Sequence, residues 1–167
     1  MKISSKNDVL AVKWYEQQVV SAIEEWARIS KEKGDFASVI VSSMIYSACA
    51  EYYAELLIYV LLTQLNHKSH SIKIKLPDFT KRSQIENKLQ HLKRMEFSRK
   101  KEVIKNLELI SKKRNILVHN LATPGRMIDE NFTSLSKEIE DNYNSLKKTI
   151  FEIYDGVSDP FRKILAQ

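Results

Sequence analysis

A guanidinium in the middle of an apolar stripe is the feature of this sequence best suited to chemistry. In the segment from Glu102 to Asn120, apolar residues recur at helical spacing, and Arg114 falls among them. Five positions lie within about 80° of one another at the helical period: Val103, Leu107, Ile110, Arg114 and Leu117. Arginine keeps its charge, and burying that charge unpaired costs several kcal/mol. Arg114 therefore either pairs with a carboxylate or lines a site where an anion binds.

Asn115 and His119 lie close to this arginine in the same predicted helix. They are four residues apart and share one flank of the helix. A long arginine side chain can swing toward that flank, so Arg114, Asn115 and His119 can form one pocket wall. The helix C-terminus favours a protonated imidazole, whereas the nearby guanidinium opposes it. The alternative is purely structural: His119 caps its helix, and Arg114 sits in an ion pair.

Helices must position these residues, because the sequence has few of the residues that punctuate sheets. Three glycines and three prolines occur in 167 residues, well below average usage. This scarcity disfavours a sandwich or barrel, and no glycine-rich phosphate loop is present. We expect an all-α bundle forming one domain over residues 1–167. Its five helices are predicted at about residues 8–32, 36–66, 80–95, 99–119 and 131–154.

The apolar patterns predict which helix faces are buried. The second helix is apolar nearly all round and is expected to be central. Its longest uncharged run, 15 residues, is shorter than the roughly 20 needed to span a membrane. Gly34 is expected to end the first helix, and Asp35 to cap the second. The predicted core face is Val9, Val12, Tyr15, Val19, Ile23 and Trp26 in the first helix, and Leu135, Ile139, Tyr143, Leu146, Ile150 and Ile153 in the fifth.

Charge and cysteine content narrow the class of protein. Residues 68–114 contain 15 basic and 5 acidic residues, within a chain of net charge +6. Such a concentration favours a polyanionic partner, most simply nucleic acid, although a solvated lysine-rich surface has the same composition. Cys49 is the single cysteine, which excludes an internal disulfide and a cysteine-based zinc site. We therefore expect a cytoplasmic protein. A short extended piece is predicted within residues 67–79, and a last turn at residues 161–166.

The segment from Arg114 to His119 resembles the Arg-Asn-x3-His motif of HEPN domains. As in that family, the motif ends a basic helix, follows a long apolar helix, and precedes a Pro-Gly break and one more helix. HEPN domains are all-helical, mostly prokaryotic and cytosolic. Many are metal-independent endoribonucleases of toxin–antitoxin and phage-defence systems, so the resemblance implies an RNA substrate and no metal or cofactor.

The resemblance also implies a role for each motif residue. His119 would act as general base on a ribose 2′-hydroxyl, Arg114 would stabilise the charge on phosphorus, and Asn115 would orient the histidine or a phosphate oxygen. An acidic residue of the central helix often lies near the motif arginine in this family. Glu51 and Glu55 occupy that helix here, and Glu51, deeper in the apolar run, is the expected supporting partner of Arg114.

Family likeness further implies a homodimer in which two motifs meet across a cleft. Basic side chains of the third and fourth helices would flank that cleft and hold the RNA backbone. The candidates are Arg99, Lys105, Lys112 and Lys113.

Two other classes of function remain open at this point. Some HEPN domains are non-catalytic interaction modules, and others are partners of a nucleotidyltransferase antitoxin that modifies a tyrosine. That tyrosine follows the motif histidine by four residues, a position occupied here by Thr123. The departure weakens the tyrosine-modification hypothesis and leaves ribonuclease chemistry unaffected.

Overall fold

The described residues of the chain are entirely helical apart from short turns. A computed structural model describes residues 6–68, 85–121 and 131–155, and side chains within residues 18–65, 85–121 and 132–154. The five helices are α1 Lys6–Glu32, α2 Phe36–Lys68, α3 Ile85–Lys93, α4 Lys100–Leu121 and α5 Asn131–Asp155. The predicted all-α class is confirmed for these ranges, which contain no strand. Beyond Lys68, the short extended piece predicted within residues 67–79 lies outside the described residues. The last turn predicted at residues 161–166 also lies outside them.

α2 is the central helix, as its sequence predicts. It packs against α1, α3, α4 and α5, which explains why apolar residues occur on nearly all of its sides. Its segment Phe36–Leu65 is long and apolar enough to cross a membrane by length and composition, and 56% of the most apolar window is buried inside the protein. A core helix covered by neighbouring helices passes the same test.

α4, the helix that carries Arg114, forms an antiparallel pair with α5. The predicted apolar stripes of both helices are buried: Val103, Leu107, Ile110 and Leu117 on α4, and Leu135, Ile139, Tyr143, Leu146, Ile150 and Ile153 on α5. Polar contacts also join the two helices. Hydroxyl, amide and charged side chains that flank the apolar stripe of one helix pair with polar side chains of the other helix. From one end to the other, these contacts are Arg99–Glu152, Glu102–Thr149, Asn106–Ser145 and Lys113–Glu138.

The turn between α1 and α2 follows the predicted residue chemistry. Gly34 has φ of 70°, a left-handed conformation that suits glycine after a helix end. Asp35 caps α2, and its carboxylate accepts a hydrogen bond from the Ser38 backbone N–H at 2.9 Å. The two hydrogen bonds from Ser38 lower the pKa of Asp35. Both turn predictions are confirmed.

α1 departs from the prediction made for its buried face. Val19, Ile23 and Trp26 are exposed, and Trp26 retains 71% of its accessible surface. Val20 and Ala27 face the core instead. The prediction was wrong because helical periodicity shows which residues share a face, but not which face a neighbouring helix covers. The side chains of Val9, Val12 and Tyr15 lie outside the described set.

A partly buried carboxylate, Glu24, lies on the face of α1 that turns inward. Glu24 accepts hydrogen bonds from the hydroxyls of Tyr53 and Tyr143. It also forms an ion pair with Lys147, whose Nζ lies 2.6 Å from Glu24 Oε2. These donors come from α2 and α5, so one acidic side chain ties α1 to both helices. Burial and the charge of Glu24 together raise the pKa of the neighbouring Cys49 thiol to about 12.

We predict that Cys49 is inert to thiol reagents in the folded protein. With a pKa near 12, almost no thiolate is present at pH 8, and the thiolate is the reactive form. Ellman's reagent should modify the native chain at least about 100-fold more slowly than the chain unfolded in guanidinium. Because the chain has one cysteine, absorbance reports this site alone, and equal rates in both states would contradict the prediction.

Candidate functional site

Arg114 is held in an ion pair that joins α4 to α2. Its Nη1 donates a hydrogen bond to Glu51 Oε1 at 2.7 Å, and the two side chains keep 23% and 22% of their accessible surface. The Nη2 group donates to Asn115 Oδ1 at 3.3 Å. Of the two alternatives for Arg114, the structure therefore shows the ion pair, with Glu51 as the expected partner. The remaining guanidinium donors have no protein acceptor in the described part of the chain.

Lys88 of α3 extends this charged cluster and is a residue that sequence reasoning missed. It is only 6% exposed, and its Nζ lies 3.8 Å from Glu51 Oε2 and 3.5 Å from Glu55 Oε2. Two cations thus face two carboxylates, and this balance lowers the cost of burying them. The signal was present in the sequence, because Lys88 has helical spacing with the buried Ile85 and Leu92.

The charged cluster forms the floor of an open pocket of about 320 Å³. Arg114 and Lys88 supply donors there, Glu51 and Glu55 supply acceptors, and Tyr52 contributes an aromatic wall. The opposite charges nearly cancel, so the pocket attracts an anion only at the Arg114 donors that Glu51 and Asn115 leave available. Such an arrangement fits one phosphate oxygen better than a whole phosphate group.

His119 lies on another side of α4 from Arg114. Their positions differ by about 140° round the helix, and neither His119 nor Asn115 lines the pocket. His119 is exposed in the last turn of α4. Within one chain, the structure brings together Arg114, Asn115 and Glu51, and it places the imidazole on the solvent face.

The four basic residues proposed to hold RNA fall into two groups. Arg99, with φ of 56°, pairs with Glu102 and Glu152, and Lys113 pairs with Glu138 at 2.5 Å. Hydrogen bonds from Arg99 and Thr149 lower the pKa of Glu102. By contrast, Lys105 and Lys112 are exposed and have no ion pair in the described ranges.

Comparison with known proteins leaves the resemblance as a prediction. No model of a known family matches this chain, nor does any curated protein or solved structure. The likeness to HEPN domains therefore depends on the motif from Arg114 to His119 and on the order of the helices.

We predict that Arg114→Ala destabilises the fold, because it leaves Glu51 without its closest cation. The pair is partly buried, so the loss should fall between that of surface and fully buried pairs, about 1–3 kcal/mol. Urea unfolding followed by circular dichroism measures it. Arg94→Ala is a matched control, since Arg94 is exposed, and its free energy of unfolding should change by less than about 0.5 kcal/mol.

A double-mutant cycle separates the ion pair from a general packing effect. The variant carrying both Arg114→Ala and Glu51→Gln should lose less stability than the sum of the two single changes, because the second change removes the stranded charge. Additive losses would show that the contact contributes no coupling energy.

Proposed function

We propose that the chain is a metal-independent endoribonuclease of the HEPN type. It acts in the cytoplasm as a toxin or phage-defence effector that cleaves RNA. The observation that carries this proposal is the placement of Arg114. Glu51 and Asn115 orient its guanidinium in the lining of a pocket, on the basic helix that also carries His119.

The proposed reaction transfers phosphorus from the 5′-oxygen of one ribose to the 2′-oxygen of the preceding ribose. His119 removes the 2′-hydroxyl proton, the 2′-oxygen bonds to phosphorus, and the bond to the 5′-oxygen breaks. That oxygen takes up a proton, so the products are a 2′,3′-cyclic phosphate and a 5′-hydroxyl end. General-base help is typically worth about 10²–10⁴ in rate, and charge stabilisation at Arg114 about 10²–10³.

A homodimer forms part of this proposal. Arg114 and His119 face different sides of α4, so one chain by itself presents its guanidinium and its imidazole in different directions. A second copy can supply the missing group to each site if the C-terminal halves of the two α4 helices meet.

A non-catalytic interaction module is the second candidate, and one observation favours it. The Glu51 carboxylate neutralises Arg114 within the chain, so the arginine needs no substrate to balance its charge. In that case the α4 motif stabilises the fold, and a partner such as a nucleotidyltransferase binds elsewhere. RNA cleavage distinguishes the two candidates directly.

We predict that His119→Ala abolishes RNA cleavage and leaves the fold intact, because an exposed side chain near a helix end contributes little packing. Cleavage of labelled RNA is measured in excess EDTA, with the cyclic phosphate identified by mass spectrometry. The rate should fall at least about 100-fold. His91→Ala is the matched control, since His91 is also exposed, and it should cleave at the wild-type rate.

With contaminating nuclease excluded, cleavage that survives both His119→Ala and Arg114→Ala at the wild-type rate would contradict the proposed catalytic site and favour the interaction module. Wild-type protein that leaves RNA uncut under every ionic condition would favour the interaction module.

We also predict that the chain is a dimer at micromolar concentration, with twice the monomer mass of 19.5 kDa by light scattering. A mixture of Arg114→Ala and His119→Ala chains should regain cleavage, up to about a quarter of wild type, because half of randomly paired dimers are mixed and each keeps one complete site. A clean monomer at these concentrations would contradict the dimer.

A further inference from the structure

A second depression lies at the N-terminal end of α4, next to the end of α3. This basic groove has a volume of about 440 Å³. Four lysines and two glutamates dominate its lining: Lys93, Lys100, Lys101, Lys105, Glu96 and Glu108. The lining therefore has an excess of positive charge, and it lies apart from the residues of the Arg114 pocket.

Two of the four lysines in the basic groove are already matched by carboxylates. Lys93 pairs with Glu108 at 2.6 Å, and Lys100 pairs with Glu96 at 2.8 Å. Lys101 and Lys105 are exposed and have no ion pair in the described ranges. These two side chains carry the uncompensated charge of the groove, and an external anion can balance it without displacing a protein contact.

The same two lysines share one face of α4 with the motif histidine. Lys101, Lys105, Lys112 and His119 are separated by four, seven and seven residues, which places them within about 40° of one another on the helix. All four are exposed. One continuous solvent face of α4 therefore runs from the basic groove, past Lys112, to the imidazole.

We propose that the basic groove binds phosphates of single-stranded RNA at a fixed distance from the bond cleaved at His119. This inference rests on the proposed ribonuclease function for the cleaved bond, but not for the binding itself. Lys101 and Lys105 each neutralise one backbone phosphate, Lys112 contacts the strand between them and the imidazole, and the base sequence is not read.

The length of α4 sets how many nucleotides the strand needs. From Lys105 to His119 the helix rises about 21 Å, at about 1.5 Å per residue. A stacked strand advances about 3.4 Å per nucleotide, so about six nucleotides separate the groove from the cleaved bond, and fewer in an extended strand. A trinucleotide is too short to reach both places.

Binding is tested with a fluorescent 12-nucleotide RNA carrying 2′-O-methyl groups, which cannot undergo attack by its own 2′-oxygen. Lys101→Gln with Lys105→Gln should weaken binding about tenfold at low salt and reduce the salt slope by about 1.4, two phosphates at about 0.7 each. The control is Lys33→Gln with Lys148→Gln, which removes the same charge from exposed positions outside this face of α4. It should bind within twofold of wild type.

The variant with Lys101→Gln and Lys105→Gln is called the groove variant. The proposal would be overturned if the groove variant bound RNA as tightly as wild type. It would also be overturned if the control variant with Lys33→Gln and Lys148→Gln lost as much affinity as the groove variant. DNA bound more tightly than RNA through the same two lysines would also overturn it. Loss of affinity restricted to the groove variant supports the proposal even if wild-type protein cleaves no RNA, a result that would refute only the ribonuclease function. If the protein does cleave, the groove variant should lose about tenfold in kcat/KM on the 12-nucleotide RNA with free 2′-hydroxyls, and less than twofold on a trinucleotide.

Discussion

The ion pair between Arg114 and Glu51 is the contact on which the candidate site depends. A permanent charge on the inner side of α4 is tolerated only because a carboxylate from the central helix meets it. That contact and the buried stripe of Val103, Leu107, Ile110 and Leu117 together set which face of α4 turns inward. Arg114 faces the pocket, while Asn115, Lys101, Lys105, Lys112 and His119 are exposed. Lys88 completes the balance by approaching Glu51 and Glu55 from α3.

Much of this arrangement could be predicted from the sequence, for a physical reason that differs from element to element. α5 is apolar on one side and polar on the other. Only the apolar face can be buried without losing hydration of polar groups, and it is the face that is buried in the structure. Arg114 had to find an anion, and Glu51 was the acidic side chain deepest in the apolar helix. Gly34 and Asp35 reveal a turn because few other residues satisfy its backbone geometry and its unpaired N–H groups.

The other features of the fold and the site depend on contacts between helices, which the sequence of one helix does not reveal. α1 has apolar residues on two sides, and its own sequence does not show which side neighbouring helices cover. In the sequence, Lys88 is one of the 15 basic residues of the segment 68–114. The structure places it against the carboxylates of Glu51 and Glu55. The division between paired and unpaired lysines on α4 likewise depends on glutamates from other elements, such as Glu138 beside Lys113.

The way α1 is attached has a consequence for motion within the bundle. α4 and α5 are joined by polar contacts from Arg99–Glu152 to Lys113–Glu138, whereas α1 is joined to α5 through charged contacts at Glu24 and at the Lys31–Glu140 pair. Local opening costs least where few apolar contacts must be broken. Detachment of α1 would break the contacts of Glu24 with Tyr53, Tyr143 and Lys147, but none of the polar contacts between α4 and α5. The residues of α5 that hold α1 (Glu140, Tyr143 and Lys147) differ from those that hold α4 (Glu138, Ser145, Thr149 and Glu152).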